Sequence, residues 1–224
     1  MKYNIFSKEL YNLLKQDEKI QKIYRQIEEN EIQDGGWAFH NYEHIKNVSK
    51  IAEEILKSLN FDKETIYSCK IACLLHDVGA IEGKDGHAER SYEYAKALFE
   101  DNNYQFKDKD VVLDAIKNHS DGFESDNIVA LAIILADKLD IKKTRISEEG
   151  KKVIGNRQYQ HIEDIVVNIN DNKMAVNFIT DGNLDLKETN EYYFTKKVFK
   201  AIQSFSNKLE LNYYILLDNN PWYI

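Results

Sequence analysis

The stretch ACLLHDVGA, residues 72–80, sets the terms for the whole chain. An apolar run ends abruptly in His76-Asp77, a base beside an acid, and Gly79 then breaks the element that carries them. Cys69 and Cys73 precede His76 by seven and three residues, and Asp77 lies four beyond Cys73. On a helix these positions share one face, and its apolar character turns it inward. An acid and a base delivered to an interior need partners there, because an isolated buried charge is costly.

Other ionisable residues follow the same pattern. His44 heads the row His44, Val48, Ile51, Ile55, spaced as one side of a helix, and His119 follows Val112, Ala115 and Ile116. Asp137 ends nine consecutive apolar residues, Ile128 to Ala136, which read as a helix buried on all sides. Each residue taken singly has a bland reading. A histidine on an apolar face is commonly a satisfied core residue, Asp77 can simply end a helix, and Asp137 can pair with Lys138 or Arg145. Together, imidazoles and carboxylates at the inner ends of helices suit a divalent metal. Mn, Fe, Co, Ni or Zn fit such ligands, Mg is also compatible, and positions stay open for water and substrate oxygens.

The rest of the chain frames that site. Its 224 residues, 43% hydrophobic and 30% charged, suit one moderately large domain, or a domain with a small appendage. A net charge of −8 argues against a nucleic-acid-binding face, while a bound metal can still attract a small phosphorylated substrate locally. Cys69 and Cys73 lack the partners and spacing of a zinc or redox motif, so they read as core residues in a reducing cytoplasm. The N-terminus has no signal-peptide pattern, and no apolar run approaches the roughly 20 residues needed to cross a bilayer. The expectation is a soluble cytoplasmic protein without a membrane partner.

Proline occurs once, at Pro221, so long helices are unopposed. Periodicity predicts helices near 4–16, 18–30, 42–59, 63–77, 87–101, 108–119 and 126–141, with Asp62 and Asp126 as N-caps. After about residue 150, EDIVVNIN and KMAVNFIT flank Asp171-Asn172 and predict a β-hairpin. A final helix is expected over 187–213, with Tyr193, Val198, Ile202, Phe205 and Leu209 on one side. The predicted fold class is mainly α: a helical metal-binding domain over 1–150, then a hairpin and a long helix over 151–224 packed on it. The aromatic-rich tail suits a core or a homodimer surface.

The ordered set HNYEHIKNVSKIA, ACLLHDVGA and LAIILADKLD resembles the HD-domain metal-dependent phosphohydrolases over roughly residues 38 to 146. The resemblance implies a helical bundle of HD type, with His44, His76, Asp77 and Asp137 as metal ligands. Dinuclear relatives place further histidines between the doublet and the last aspartate. His87 in GKDGHAERS and His119 in AIKNHSDG match that pattern, which implies a second ion bridged by Asp77 and a bridging hydroxide as nucleophile. A solvated helix start is the simpler alternative for His87. HNYEH is also similar to a motif of cyclic-nucleotide phosphodiesterases, which implies His40 as the acid that protonates the leaving oxygen. Lys138 and Arg145 flank the last ligand and are candidates for holding a phosphate oxygen; a solvated helix face is the alternative. His161 is assigned no role.

The function implied is hydrolysis of a phosphoester or phosphoanhydride in a nucleotide-like small molecule, by one or two divalent ions. Phosphomonoesterase, phosphodiesterase and dinucleoside polyphosphate hydrolase are the subtypes; AIKNHSDG and ILADKLDIKKTRI are similar to segments of bacterial diadenosine tetraphosphate hydrolases. The competing readings are a non-catalytic, metal-stabilised regulatory or binding module, and a metal-dependent oxygenase on the same scaffold.

Overall fold

Helix α4, Lys63–Leu75, carries the apolar run that ends at His76. The structure, a computed structural model, describes residues 5–192 and 194–223. Asp62 caps α4, its carboxylate accepting from the Thr65 amide at 2.8 Å. Helix α4 packs against α1 (Ser7–Lys15), α3 (Tyr42–Ser58) and α6 (Lys109–Asn118). Enclosure by three neighbours requires apolar side chains nearly all round. Ile66, Cys69, Ile71, Ala72, Cys73, Leu74 and Leu75 are all buried accordingly. The buried leucines and isoleucines contribute roughly 1.5–3 kcal/mol each. Helix α2, Glu18–Gln33, adds Tyr24, fully buried, whose hydroxyl donates to the Leu74 carbonyl at 2.7 Å. That bond satisfies one of the carbonyls that the end of α4 leaves without a helical partner.

Asn41 sets where α3 begins. Its Oδ1 accepts from the His44 amide at 3.0 Å, and its amide donates to Glu28 of α2 at 2.7 Å. His44 therefore enters in the first turn of α3. After Asp77 a tight 3-10 turn, Val78–Glu82, packs on α5, His87–Asp101, which also packs on α6. Gly79 permits this approach: a Cβ there would lie 2.4 Å from the His87 carbonyl oxygen and 2.6 Å from the Ser91 nitrogen. The Gly79 amide donates to Ser91 Oγ at 2.9 Å. Arg90 donates to the Gly79 carbonyl at 2.9 Å, to the Asp85 carbonyl at 2.7 Å, and to the Gly83 carbonyl. The loop between the doublet and His87 is thus clamped at several points.

Helix α7, Ile128–Leu139, is enclosed as its composition requires, with Val129 to Ala136 at most 2% exposed. Its cap differs from expectation. Asn127, rather than Asp126, accepts from the Val129 and Ala130 amides, at 2.9 and 3.4 Å. No described helix is long and apolar enough to cross a membrane.

The chain divides into two compact units: Met1–Asn30 with His40–Ile134, and Glu31–Phe39 with Leu135–Ile224. The change of character near residue 150 marks where helix yields to strand, whereas the units divide earlier. In the second unit, the 31–39 segment is tied to 145–147. Ala38 bridges Ile146, the Phe39 amide donates to the Arg145 carbonyl at 3.0 Å, and Ser147 donates to the Trp37 carbonyl at 3.1 Å.

The second unit holds a four-stranded sheet of order β1-β2-β3-β4. Strands β1 (Ile162–Asn170) and β2 (Lys173–Thr180) pair antiparallel through Asp171-Asn172. Both turn residues have positive φ, 47° and 60°, as a two-residue type I′ hairpin needs. The expected helix over 187–213 is broken. Helix α8 covers Leu186–Glu191, a wide π turn follows at Phe194–Phe199, and α9 covers Lys200–Lys208. Glu210 then adopts φ 54°, and the Leu211 amide returns to the Ser206 carbonyl at 2.9 Å, a left-handed helix stop without the usual glycine. Strand β3, Asn212–Leu217, begins within the last two residues expected as helix and runs parallel to β2; a second two-residue turn, Asp218-Asn219, leads to β4 at Asn220–Pro221. Residue 4 and Tyr193, both expected in helices, lie outside the described residues. Met174, Val176 and Phe178 of β2 and Val198, Ile202 and Phe205 are fully buried, and Trp222 lies edge-on to Phe178 with ring centroids 5.5 Å apart.

Glu188 closes the second unit's polar interior. It accepts from the Gly155 amide at 2.7 Å and from Arg157 Nε and Nη2 at 2.9 and 2.6 Å. Arg157 is the main reason its carboxyl is lowered to about 2, with the Gly155 amide assisting.

Two outcomes follow from this packing. Gly79→Ala should destabilise the protein by about 1–3 kcal/mol, since backbone rather than a flexible side-chain tip must give way; urea unfolding measures it. Because the folded value of Glu188 is below its unfolded one, its stabilisation is present above about pH 4.3 and is lost as pH falls toward the folded value. Thermal unfolding should therefore show wild type above Glu188→Gln at neutral pH and the two converging near pH 2; a constant offset across that range would refute the assignment.

Candidate metal centre

His44, His76, Asp77, His87 and His119 all belong to the first unit, and all come from helix ends. His44 lies in the first turn of α3, His76 caps the end of α4, His87 opens α5 and His119 caps the end of α6. These are the places where a side chain can point along a bundle's interior without displacing the packed helix walls.

Asp77 is their centre. Its Oδ2 lies 3.5 Å from His44 Nε2 and 3.2 Å from His76 Nε2; its Oδ1 lies 3.2 Å from His87 Nε2 and 3.4 Å from His119 Nε2. One carboxylate oxygen thus faces one pair of imidazoles, and the other oxygen faces the second pair. Two sets of potential ligands result, His44-His76-Asp77 and Asp77-His87-His119, each with its ligand atoms within 4.8 Å of one another.

The ring tautomers follow from the backbone. Nδ1 of His76 lies 2.7 Å from the Cys73 carbonyl, Nδ1 of His87 lies 2.7 Å from the Lys84 carbonyl, and Nδ1 of His119 lies 2.7 Å from the Ile116 carbonyl. A carbonyl only accepts, so each Nδ1 carries hydrogen and, in a neutral ring, each Nε2 presents a lone pair. Burial pushes the His119 imidazole below its ordinary value, against the pull of Asp77. With neutral rings, the Nε2 atoms of His76, His87 and His119 would face carboxylate oxygens, and His87 Nε2 would face His119 Nε2 at 2.9 Å, acceptor against acceptor. A cation resolves that conflict. His76 Nε2 and Asp77 Oδ2, both buried, make no hydrogen bond among the described residues, which fits the same conclusion. Burial alone would push the Asp77 carboxyl up; His76, His119 and His44 hold it well below the usual carboxylate range when their Nε2 atoms carry hydrogen, and a cation takes over that role when the same nitrogens present lone pairs.

His40 is 6% exposed, and its ring centroid lies 5.9 Å from that of His44 and 6.4 Å from that of His87. It borders both ligand sets. Asp137, Lys138 and Arg145 lie in the second unit and belong to neither set. There Lys138 donates to Asp137 at 2.6 Å and Arg145 does so at 3.3 Å, so the two expected phosphate-binding cations are paired with a carboxylate. His161 pairs with Asp181 at 3.0 Å. The residues that sequence reasoning missed are those that hold the ligands: Asn41 as the cap ahead of His44, and Arg90 and Ser91 as the clamp ahead of His87. An Asx residue three positions before a candidate ligand was a readable signal for the first; the clamp has no local signature.

The HD domain family model matches residues 41–142. A solved structure named a predicted HD superfamily hydrolase, from an uncultured Thermotogales bacterium, aligns at 23% identity with a TM-score of 0.44, covering 60% of this chain and 80% of that one. No curated protein matches. The matched segment includes every member of both ligand sets, so the part of the chain that holds them is similar to HD domains.

Proposed function

We propose that the chain is a metal-dependent hydrolase that cleaves phosphoester or phosphoanhydride bonds in a small, nucleotide-like molecule. The observation that carries this reading is the division of the Asp77 carboxylate between two pairs of imidazoles. Five side chains provide for two ions that share one bridging group. Divalent ions held there would supply an acidified water as nucleophile and positive charge opposite a phosphoryl group. The ligand chemistry suits Mn, Fe, Co, Ni or Zn.

The chain's own residues do the remaining work. The three Nδ1–H bonds to backbone carbonyls keep the Nε2 lone pairs aimed inward, so little reorganisation accompanies binding. Asp77 stays ionised through neutral pH, because its carboxyl is held well below the usual range. His40, whose ring lies beside both sets, is the candidate for carrying a proton to the leaving oxygen, a role that the family resemblance suggests. The nucleotide-like substrate, Asp137 as a further ligand, and Lys138 and Arg145 as phosphate contacts are carried by family resemblance alone.

Metal analysis of the purified protein followed by assays on the same sample tests the reading. Two ions per chain are expected, with hydrolysis of mono- or diester model substrates and then nucleotides. Chelation should abolish activity and Mn(II) or Fe(II) should restore it. Asp77→Ala should lose metal and at least about a hundredfold in rate, while His87→Ala and His119→Ala should each reduce the metal count toward one. Activity that survives in metal-free Asp77→Ala would sink the proposal.

A further inference from the structure

Ser120 follows His119 in the turn that closes α6, and it is only partly buried where Asp77 and His119 are fully enclosed. Its Oγ lies 3.4 Å from His87 Nε2 and 3.4 Å from His119 Nε2, equidistant from two ligand atoms of the second set. The turn that places it is tight. The Gly122 amide donates to the Asn118 carbonyl at 2.8 Å, and a Cβ on Gly122 would lie 2.6 Å from that oxygen. The backbone therefore fixes where the Ser120 Cβ sits, and from there the hydroxyl reaches both rings.

Both facing nitrogens present lone pairs, since each ring spends its Nδ1–H on a backbone carbonyl. Once those lone pairs are directed at a cation, they no longer accept from a hydroxyl. The Ser120 O–H is then beside the ion, on the less buried side of the set, where an oxygen that completes the ion's coordination can accept from it. We propose that Ser120 orients the water or hydroxide on the ion held by Asp77, His87 and His119, donating to it in its hydroxide form. Such a bond favours the charged form and lowers the pH at which the water ionises. The inference rests on the metal reading of this set but not on the identity of the substrate.

The test uses the full chain loaded with Co(II), without substrate, and follows the visible absorption of the bound ion against pH. Wild type should show a transition as the bound water ionises. Ser120→Ala, and Ser120→Gly as a second hydroxyl-free variant, should raise its midpoint by about one pH unit, a tenfold change in the ionisation constant, with the cobalt count unchanged. Ser120→Thr should restore the wild-type midpoint. An unmoved midpoint in the hydroxyl-free variants overturns the proposal; so does loss of a cobalt ion from them, which would make the hydroxyl a ligand instead. Failure of the metal reading appears separately, as wild-type protein that takes up no cobalt. Failure of the phosphohydrolase reading appears only in substrate assays and leaves this measurement intact.

Discussion

A carboxylate at the buried end of a helix is doubly misplaced. It has left water, and the last turn's carbonyls put the negative end of the helix dipole beside it. Asp77 occupies that position at the end of α4, 2% exposed and yet held in its ionised form. Around it, α3, α4, α5 and α6 each contribute a histidine from one of their ends. The helices are related by packing, but their termini are related by this charge. The first unit can be understood as a shell built to make an otherwise unfavourable group useful.

Precision in that shell comes mainly from the backbone. Three of the four imidazoles around Asp77 are steered by the same device, an Nδ1–H bond to the carbonyl three residues earlier. The device works because helix ends leave carbonyls without helical partners. A histidine placed just past a helix, or on its first residue after a tight loop, finds an acceptor in the chain that has just preceded it. No second layer of side chains is needed to orient those rings, and the space behind them is free for apolar packing by residues such as Cys73 and Ile116.

How much of this was legible follows from the range of the interactions involved. Helices α1 to α7 fell close to where the periodicity of apolar residues put them, because enclosure of one face is a repeating local signal. His44, His76, Asp77 and His119 stood out as candidates for the same reason, each interrupting an apolar face, whereas His87 entered only through the family resemblance. The Asp171-Asn172 hairpin carried its own turn chemistry. The C-terminal stretch misled because Val198, Ile202 and Phe205 do keep a helical period, while the stop at Glu210 has no glycine to announce it. The parallel pairing of β2 with β3 depends on residues far apart in sequence, beyond the reach of any local pattern. Asp137, a carboxylate at the end of an apolar run, promised a cation, and Lys138 and Arg145 supply cations to it directly.

The parallel β2–β3 pair has a consequence for the order of assembly. β1 and β2 are joined by two residues and can close as soon as both exist, leaving the far edge of β2 with unpaired amides and carbonyls. That edge must wait for β3, which arrives only after the chain has made α8, the wide turn and α9. Closing so long a loop is entropically slow, and the most buried strand of the sheet is the one kept waiting. Completing the sheet therefore requires closure of the whole crossover through α8, the wide turn and α9, a far longer loop than the two residues that join β1 to β2.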